Sequence, residues 1–139
     1  FNALREYKKE NPHIFIIAPH PYFYGFSPLK EKFEGNIDVF DAIEHSWFYT
    51  KIFNRNKKAQ KMAKKYDLPL ISTSDTHFLD FLNTDYAIIK AEEKTKDAIF
   101  EAVKKKRLEN VTRPKVFFRE FLWKQGVFTF WDTLKKIFK

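Results

Sequence analysis

The chain has 139 residues, of which 44% are hydrophobic and 19% aromatic, a composition that supports one folded core and excludes a disordered chain. It contains no cysteine, which excludes disulfides, zinc–thiolate sites, iron–sulfur clusters and cysteine nucleophiles, so any bound metal must be held by His, Asp or Glu. The formal net charge of +8 favours polyanionic partners such as nucleic acid, phosphorylated metabolites or an anionic membrane surface, although many lysines are expected only to solvate helix faces.

The first part of the chain contains two predicted strands. Leu4 to Glu10 is typical of the end of a helix, and the apolar run 13–18 that follows indicates a buried parallel strand. A second such strand is predicted over residues 37–43. Between them, residues 28–33 favour a short helix that ends at Gly35, where glycine would supply a left-handed cap.

The second part continues the alternation of helices and strands. A basic helix is predicted from about residue 54 to 66, a strand over 68–73 and another over 86–89. Residues 94–107 have helical periodicity, and 108–112 indicates a final strand. Repeated alternation implies parallel strands with right-handed crossovers, and therefore an α/β sheet or part of a barrel.

The C-terminal segment, residues 115–139, has a different composition, dense in Phe and Trp with interspersed lysine. It predicts amphipathic helices, because apolar residues from 127 to 139 recur at helical spacing. Such a helix can cover the domain's own core, bind a partner or lie on a membrane surface. Covering the core is preferred, since it requires no second molecule. We therefore expect a domain over 1–114 and a helical tail over 115–139.

Metal-binding side chains follow three of the predicted strands. His20 follows the first, Glu44 and His45 end the second, and Asp75 and His77 follow the third. In parallel α/β folds the loops at the carboxyl ends of the strands share one edge, so these side chains are expected to lie close together.

The residue types at these strand ends are those of a metal site. Asp75 and His77 are two residues apart and can point the same way on an extended backbone, and His20 is held between two prolines. Asp and His ligands without cysteine suit zinc, manganese or iron, and clusters of two or three such ions commonly split phosphate esters. Each histidine alone could be an ordinary capping or core residue, but their joint placement favours a metal site.

Two segments resemble motifs of the polymerase and histidinol phosphatase (PHP) family. Ala18-Pro19-His20-Pro21 is similar to the third motif of that family, and Ser74-Asp75-Thr76-His77 is similar to the fourth. The order of the two segments, their separation and their strand context also match. The resemblance extends from about His13 to Pro114.

The resemblance implies the C-terminal part of a distorted (β/α)7 barrel with parallel strands, around two or three metal ions that activate water against a phosphate ester. It implies that His20, Asp75 and His77 are metal ligands and that Asp75 and His77 are catalytic. The family's earlier His and Glu ligands precede this region, so the missing N-terminal part of the PHP domain is an expected partner. Glu44 is expected to orient a ligand or the substrate without binding the metal itself.

Three residues after the second predicted strand are candidate substrate contacts. Lys51, Asn54 and Arg55 lie at or near a helix start, where free backbone amides and the helix dipole favour a phosphate. Arg55 is the best candidate of the three. The alternative, a solvated basic helix, is equally compatible with the run of lysines that follows.

Two classes of function remain open. The first is hydrolysis of a phosphorylated small molecule or a nucleic acid, and the second is a non-catalytic PHP-like interaction or scaffold module with an incomplete metal site. The three intact ligands favour the first. The chain begins at Phe1 and contains no apolar run long enough to span a bilayer, so we interpret it as a piece of a longer cytoplasmic protein.

Overall fold

The computed structural model describes residues 1–23, 29–75, 79–116 and 120, and in these residues four helices alternate with five strands. The helices are α1 (Asn2–Glu10), α2 (Glu31–Glu34), α3 (Asn56–Lys65) and α4 (Lys96–Lys104). The strands are β1 (Ile17–Ala18), β2 (Ala42–His45), β3 (Leu70–Ser72), β4 (Tyr86–Ile89) and β5 (Leu108–Val111). Short 3-10 helices, Ile37–Val39 and Leu79–Phe81, precede β2 and β4. The predicted α/β fold class is confirmed.

Strands β1, β2 and β3 form a parallel sheet with β2 in the centre. Ala18 lies opposite Ile43, and His45 lies opposite Ser72, so the carboxyl ends of the three strands share one edge. Every residue of β2 is buried, as expected for a central strand covered on both faces. The shared edge and the loops that leave it are termed the rim below.

Strands β4 and β5 run antiparallel, with Tyr86 opposite Val111. The expectation of parallel strands throughout is therefore wrong for this pair. The chain reverses at the end of α4, where Lys106 has a left-handed φ of 57° and the amide of Arg107 donates to the carbonyl of Ala102. This bond pattern ends the helix and leads the chain directly into β5.

The hydrophobic core occupies both faces of the parallel sheet. One face packs against helices α1 to α3 through residues that include Phe33, Ile43, Ala59 and Met62. The other face packs against α4 and the β4–β5 pair through residues that include Ala42, Ile71 and Val103. Ala42 and Ile43 are neighbours in sequence and serve opposite faces, as strand geometry requires. The parallel sheet is therefore covered on both faces, and the rim lies at one end of its strands.

Two local predictions in the first part of the chain are wrong. The strand predicted over 37–43 begins only at Ala42, because Ile37–Val39 is a 3-10 helix in which Asp38 accepts a 2.6 Å hydrogen bond from Arg5 of α1. Gly35 after α2 has a φ of −76°, which is right-handed rather than left-handed. The chain needs no reversal there, since it continues from α2 into the 3-10 helix.

The described residues form a parallel sheet and an antiparallel pair and do not close into a barrel. The amphipathic helices predicted for 115–139 fall outside the described residues, apart from positions 115, 116 and 120. None of the described helices is long and apolar enough to cross a membrane.

Candidate functional site

Four polar side chains meet at the rim of the parallel sheet. His20 follows β1, Glu44 belongs to β2, and Thr73 and Asp75 follow β3. The parallel register carries all four to the same edge. They are termed the rim cluster.

His20 and Asp75 approach each other across the end of the central strand. His20 Nε2 lies 3.8 Å from Asp75 Oδ2, and the two side chains are 29% and 37% exposed, so solvent reaches both. Among the described residues, His20 Nδ1 is buried without a hydrogen-bond partner, and 3.8 Å is too long for a hydrogen bond from Nε2. The His20 side chain is therefore reached by solvent although its Nδ1 atom is buried.

Both of these residues also have an unusual backbone conformation. The φ angle is 21° at His20 and 36° at Asp75, a region that residues with a β-carbon rarely adopt. Such conformations cost on the order of 1–3 kcal/mol each and cluster at functional sites. The two residues follow separate strands, and their side chains approach each other at the rim.

Glu44 joins the two loops that carry His20 and Asp75. Its Oε2 accepts a 2.7 Å hydrogen bond from the backbone amide of His20, and its Oε1 accepts one from the hydroxyl of Thr73. The residue is only 7% exposed. Both carboxylate oxygens therefore fix the loops, which fits the orienting role expected from the sequence.

A pocket opens beside the rim cluster, and the residues that line it include His20, Phe23, Glu44, Arg55 and Asn56. Helix α3 begins at Asn56, two residues later than predicted, so its amino end lies at this pocket. The helix dipole favours an anion there. Arg55 and His20 thus line a common small pocket beside the amino end of α3.

The other two candidate substrate residues are placed differently. Lys51 is exposed in the loop after β2 and is not among the residues that line this pocket. The side-chain oxygen of Asn54 accepts a 2.9 Å hydrogen bond from the amide of Asn56, so Asn54 helps to start α3. The structure brings Arg55 to the rim cluster and does not bring Lys51 or Asn54 into the pocket.

Sequence reasoning missed Trp47, which lies in the loop that leaves β2. Its indole Nε1 donates a hydrogen bond to Asp75 Oδ2 at 3.4 Å, and its ring packs against Phe48 and Phe81 with centroid distances of 5.2 and 5.0 Å. A buried indole usually finds an acceptor for its N–H. Its position three residues after Glu44, on a loop of the rim, was the available signal.

A buried ion pair lies over the ring of Trp47. Lys115 Nζ donates to Asp85 Oδ2 at 2.5 Å, to Thr84 Oγ1 at 2.9 Å and to the carbonyl of Arg113 at 3.0 Å, so its three protons are all used. The side chains of Lys115 and Asp85 are both 0% exposed. Burial lowers the pKa of Lys115, and the Asp85 carboxylate opposes that shift. Thr84, Asp85, Arg113 and Lys115 are termed the buried anchor, which the sequence did not reveal.

His45 follows Glu44 in β2 and is not among the residues that line the pocket. It is buried, its ring contacts Tyr49 edge to face at 5.2 Å, and its Nδ1 has no partner in the part of the chain that the structure describes. Burial lowers the pKa of this imidazole, and Asp85 partly offsets the effect. His45 is therefore a residue of the interior.

The described members of the rim cluster do not by themselves form a metal-binding group. Within 1–23, 29–75 and 79–116, no three His, Asp or Glu side chains form a group that could hold an ion, and His77 lies outside these residues. The nitrogen and oxygen donors of His20 and Asp75 suit zinc, manganese or iron. Their 3.8 Å separation is compatible with ligands that share or bridge ions. The pair fits such ions but needs further ligands.

Residues 53–108 match a family model described as PHP-associated. The match runs from the loop before α3 to the first residue of β5, and it confirms the resemblance to the C-terminal portion of the PHP family. Asp75 lies inside the matched range, whereas His20 and Glu44 precede it. No curated protein and no solved structure matches the chain.

Proposed function

We propose that the chain supplies part of the active site of a metal-dependent phosphoesterase of the PHP type. The approach of His20 to Asp75 at 3.8 Å, on the rim of a parallel sheet, carries the proposal. The left-handed backbone at both positions is a feature that active sites share with structural turns such as the one at Lys106. The PHP-associated match supports the same class of chemistry.

His20, Asp75 and His77 hold the metal in this proposal, and Asp75 and His77 act in catalysis. Bound zinc, manganese or iron ions, two or three in the complete site, lower the pKa of a bound water and polarise a phosphoryl oxygen. Glu44 keeps the His20 backbone in place from β2. The remaining ligands come from the N-terminal part of the PHP domain, which also completes the barrel.

The substrate is a phosphate ester, either a phosphorylated small molecule or a nucleic acid, in a cytoplasmic setting. Arg55 and the amino end of α3 contact its phosphate, since they line the pocket that also contains His20. Lys51 contributes charge from the adjacent loop, and Asn54 contributes by fixing the start of α3.

The second candidate is a non-catalytic PHP-like module that serves interaction or scaffolding. It is favoured by one observation, that the described residues contain no group of three ligands that could hold a metal ion. Metal binding and turnover by the completed domain distinguish the two candidates.

The test compares two variants in the chain combined with the upstream part of its PHP domain, with a phosphomonoester as substrate. Asp75→Ala should abolish turnover, because it removes a metal ligand, whereas Arg55→Ala should chiefly raise KM, because it removes an attraction for phosphate. Lys57→Ala, on the exposed face of α3, is the matched control and should change neither constant. Unchanged turnover in Asp75→Ala would remove the catalytic assignment.

The isolated chain provides a second test. Three ligands cannot fix two or three ions and leave a position for water, so Phe1–Lys139 alone should retain metal weakly and hydrolyse no phosphomonoester above a metal-only control. Adding the upstream part, in cis or in trans, should restore both properties. Robust turnover by the isolated chain, lost on chelation and regained with metal, would show that its own residues suffice.

A further inference from the structure

Trp47 contacts both the rim cluster and the buried anchor. On one side its Nε1 donates to Asp75 Oδ2 at 3.4 Å. On the other side Lys115 Nζ lies 5.5 Å from the centre of its ring, a distance at which a cation is attracted to the ring face. One side chain therefore connects the partly exposed carboxylate of Asp75 with the fully buried ion pair of Lys115 and Asp85.

The position of Trp47 is closely fixed. It is 5% exposed and packs against Phe48 and Phe81. The lysine above its ring is immobile as well, because all three of its ammonium protons are bonded and its backbone amide donates to the carbonyl of Tyr49 at 2.7 Å. The indole cannot turn without disturbing these contacts.

Asp75 is the acceptor in the contact with Trp47. It lies on the loop after β3, its side chain is more than a third exposed, and its φ is 36°. A donor that bonds one carboxylate oxygen restricts the rotamers of a partly exposed side chain. Groups that orient a ligand carboxylate commonly matter 10–100-fold to metal affinity.

We propose that Trp47 is a positioning residue for Asp75. Its indole N–H holds Oδ2 so that the carboxylate faces His20, and Lys115 in the buried anchor holds the indole. The expected effect of Trp47 on metal binding rests on the proposed function, whereas its hydrogen bond to Asp75 does not.

The first measurement detects the hydrogen bond between Trp47 and Asp75 independently of metal binding. With 15N-tryptophan labelling the three tryptophans give separate indole N–H signals, and Trp47→Phe identifies the one that belongs to Trp47. In Asp75→Ala this signal should shift more than the other two and its hydrogen should exchange faster. A Trp47 signal that Asp75→Ala leaves unchanged would overturn the proposal.

The second measurement compares two variants that each remove a hydrogen-bond donor from a buried ring in the same loop. Trp47→Phe removes the donor to Asp75, whereas Tyr49→Phe removes the donor to Thr112, 2.9 Å away, and leaves Asp75 untouched. Zn2+ affinity of the chain combined with the upstream part of its domain is measured by calorimetric titration. Trp47→Phe should weaken it about 10–100-fold, and Tyr49→Phe by less than about twofold.

The outcomes test the positioning of Asp75 and the proposed metal site separately. Equal losses of affinity in both variants would mean general loosening of the loop and would overturn the positioning role. If wild type binds no Zn2+ while the Trp47 signal still responds to Asp75→Ala, the proposed metal site fails and the positioning of Asp75 stands. Selective loss in Trp47→Phe, with equal thermal stability of the two variants, supports both.

Discussion

The rim cluster and the buried anchor each contain a carboxylate next to a nitrogen base, yet the two pairs differ in distance, burial and hydrogen bonding. In the anchor, Lys115 and Asp85 are 2.5 Å apart, fully buried and completely hydrogen-bonded. In the rim cluster, His20 and Asp75 are 3.8 Å apart and partly exposed, and His20 Nδ1 has no partner among the described residues.

The difference shows how a structural polar pair can be told from a functional one. A buried pair must use every donor and acceptor, because an unsatisfied charge in the interior is costly. A binding site must instead keep donor atoms open for its ligand, and it tolerates backbone strain to do so. The anchor should therefore govern stability, and the rim cluster should govern binding.

The largest effect on stability is expected from Lys115→Met, which leaves the Asp85 carboxylate buried and without its cation. Such losses cost about 3–5 kcal/mol in the free energy of unfolding. Urea denaturation monitored by circular dichroism measures the change. The double variant Lys115→Met with Asp85→Asn, which removes both charges, should recover part of the lost free energy of unfolding.

Lys105→Met is the matched control, because it breaks a 2.7 Å ion pair with Glu101 in which both side chains are more than half exposed. Exposed pairs contribute about 0–1 kcal/mol. If the two single variants are destabilised equally, the buried anchor has no special structural role.

A smaller loss in the free energy of unfolding is expected from Glu44→Gln at the rim. The amide oxygen of glutamine can accept one of the two hydrogen bonds, from His20 or from Thr73, but its NH2 group then faces the other donor. One buried donor left unsatisfied costs about 1–3 kcal/mol. The same variant should weaken metal binding, because the backbone of His20 is no longer fixed.

Glu109→Gln, at an exposed position of β5, serves as the control for the change in charge. It should match wild type in both unfolding free energy and metal affinity. Wild-type stability and affinity in Glu44→Gln would contradict the role of Glu44 in holding the two loops.

The placement of His20 near Asp75 could be anticipated from the sequence, because it depends on a general property of parallel sheets. Once the apolar runs are identified as consecutive parallel strands, their carboxyl ends must share an edge. Strand length was less predictable. The run 13–18 yields only Ile17–Ala18, since the amide of Ile16 donates to the Asp41 side chain at 2.8 Å.

Other features depend on contacts between distant parts of the chain, which periodicity does not encode. Lys115 is one of many lysines in the sequence, and only the fold shows that it is buried beside Asp85. The reversal before β5 uses Lys106 in a left-handed conformation, and lysine gives no signal for such a turn.

The smallest expected effect concerns His45, which lies in the interior with Tyr49 and the carboxylate of Asp85 as neighbours. Burial lowers its folded-state pKa below the ordinary value of 6.5, and Asp85 offsets only part of this shift. As pH falls through 6.5, the unfolded chain binds a proton at His45 that the folded chain does not, so the free energy of unfolding decreases. The stabilising contribution is therefore fully present above this pH and lost below it. Urea midpoints between pH 8 and about pH 5 should fall less steeply in His45→Gln than in wild type. Identical slopes in His45→Gln and wild type would show that Asp85 compensates the burial of His45 completely, and that the interior beside the anchor accepts a second positive charge.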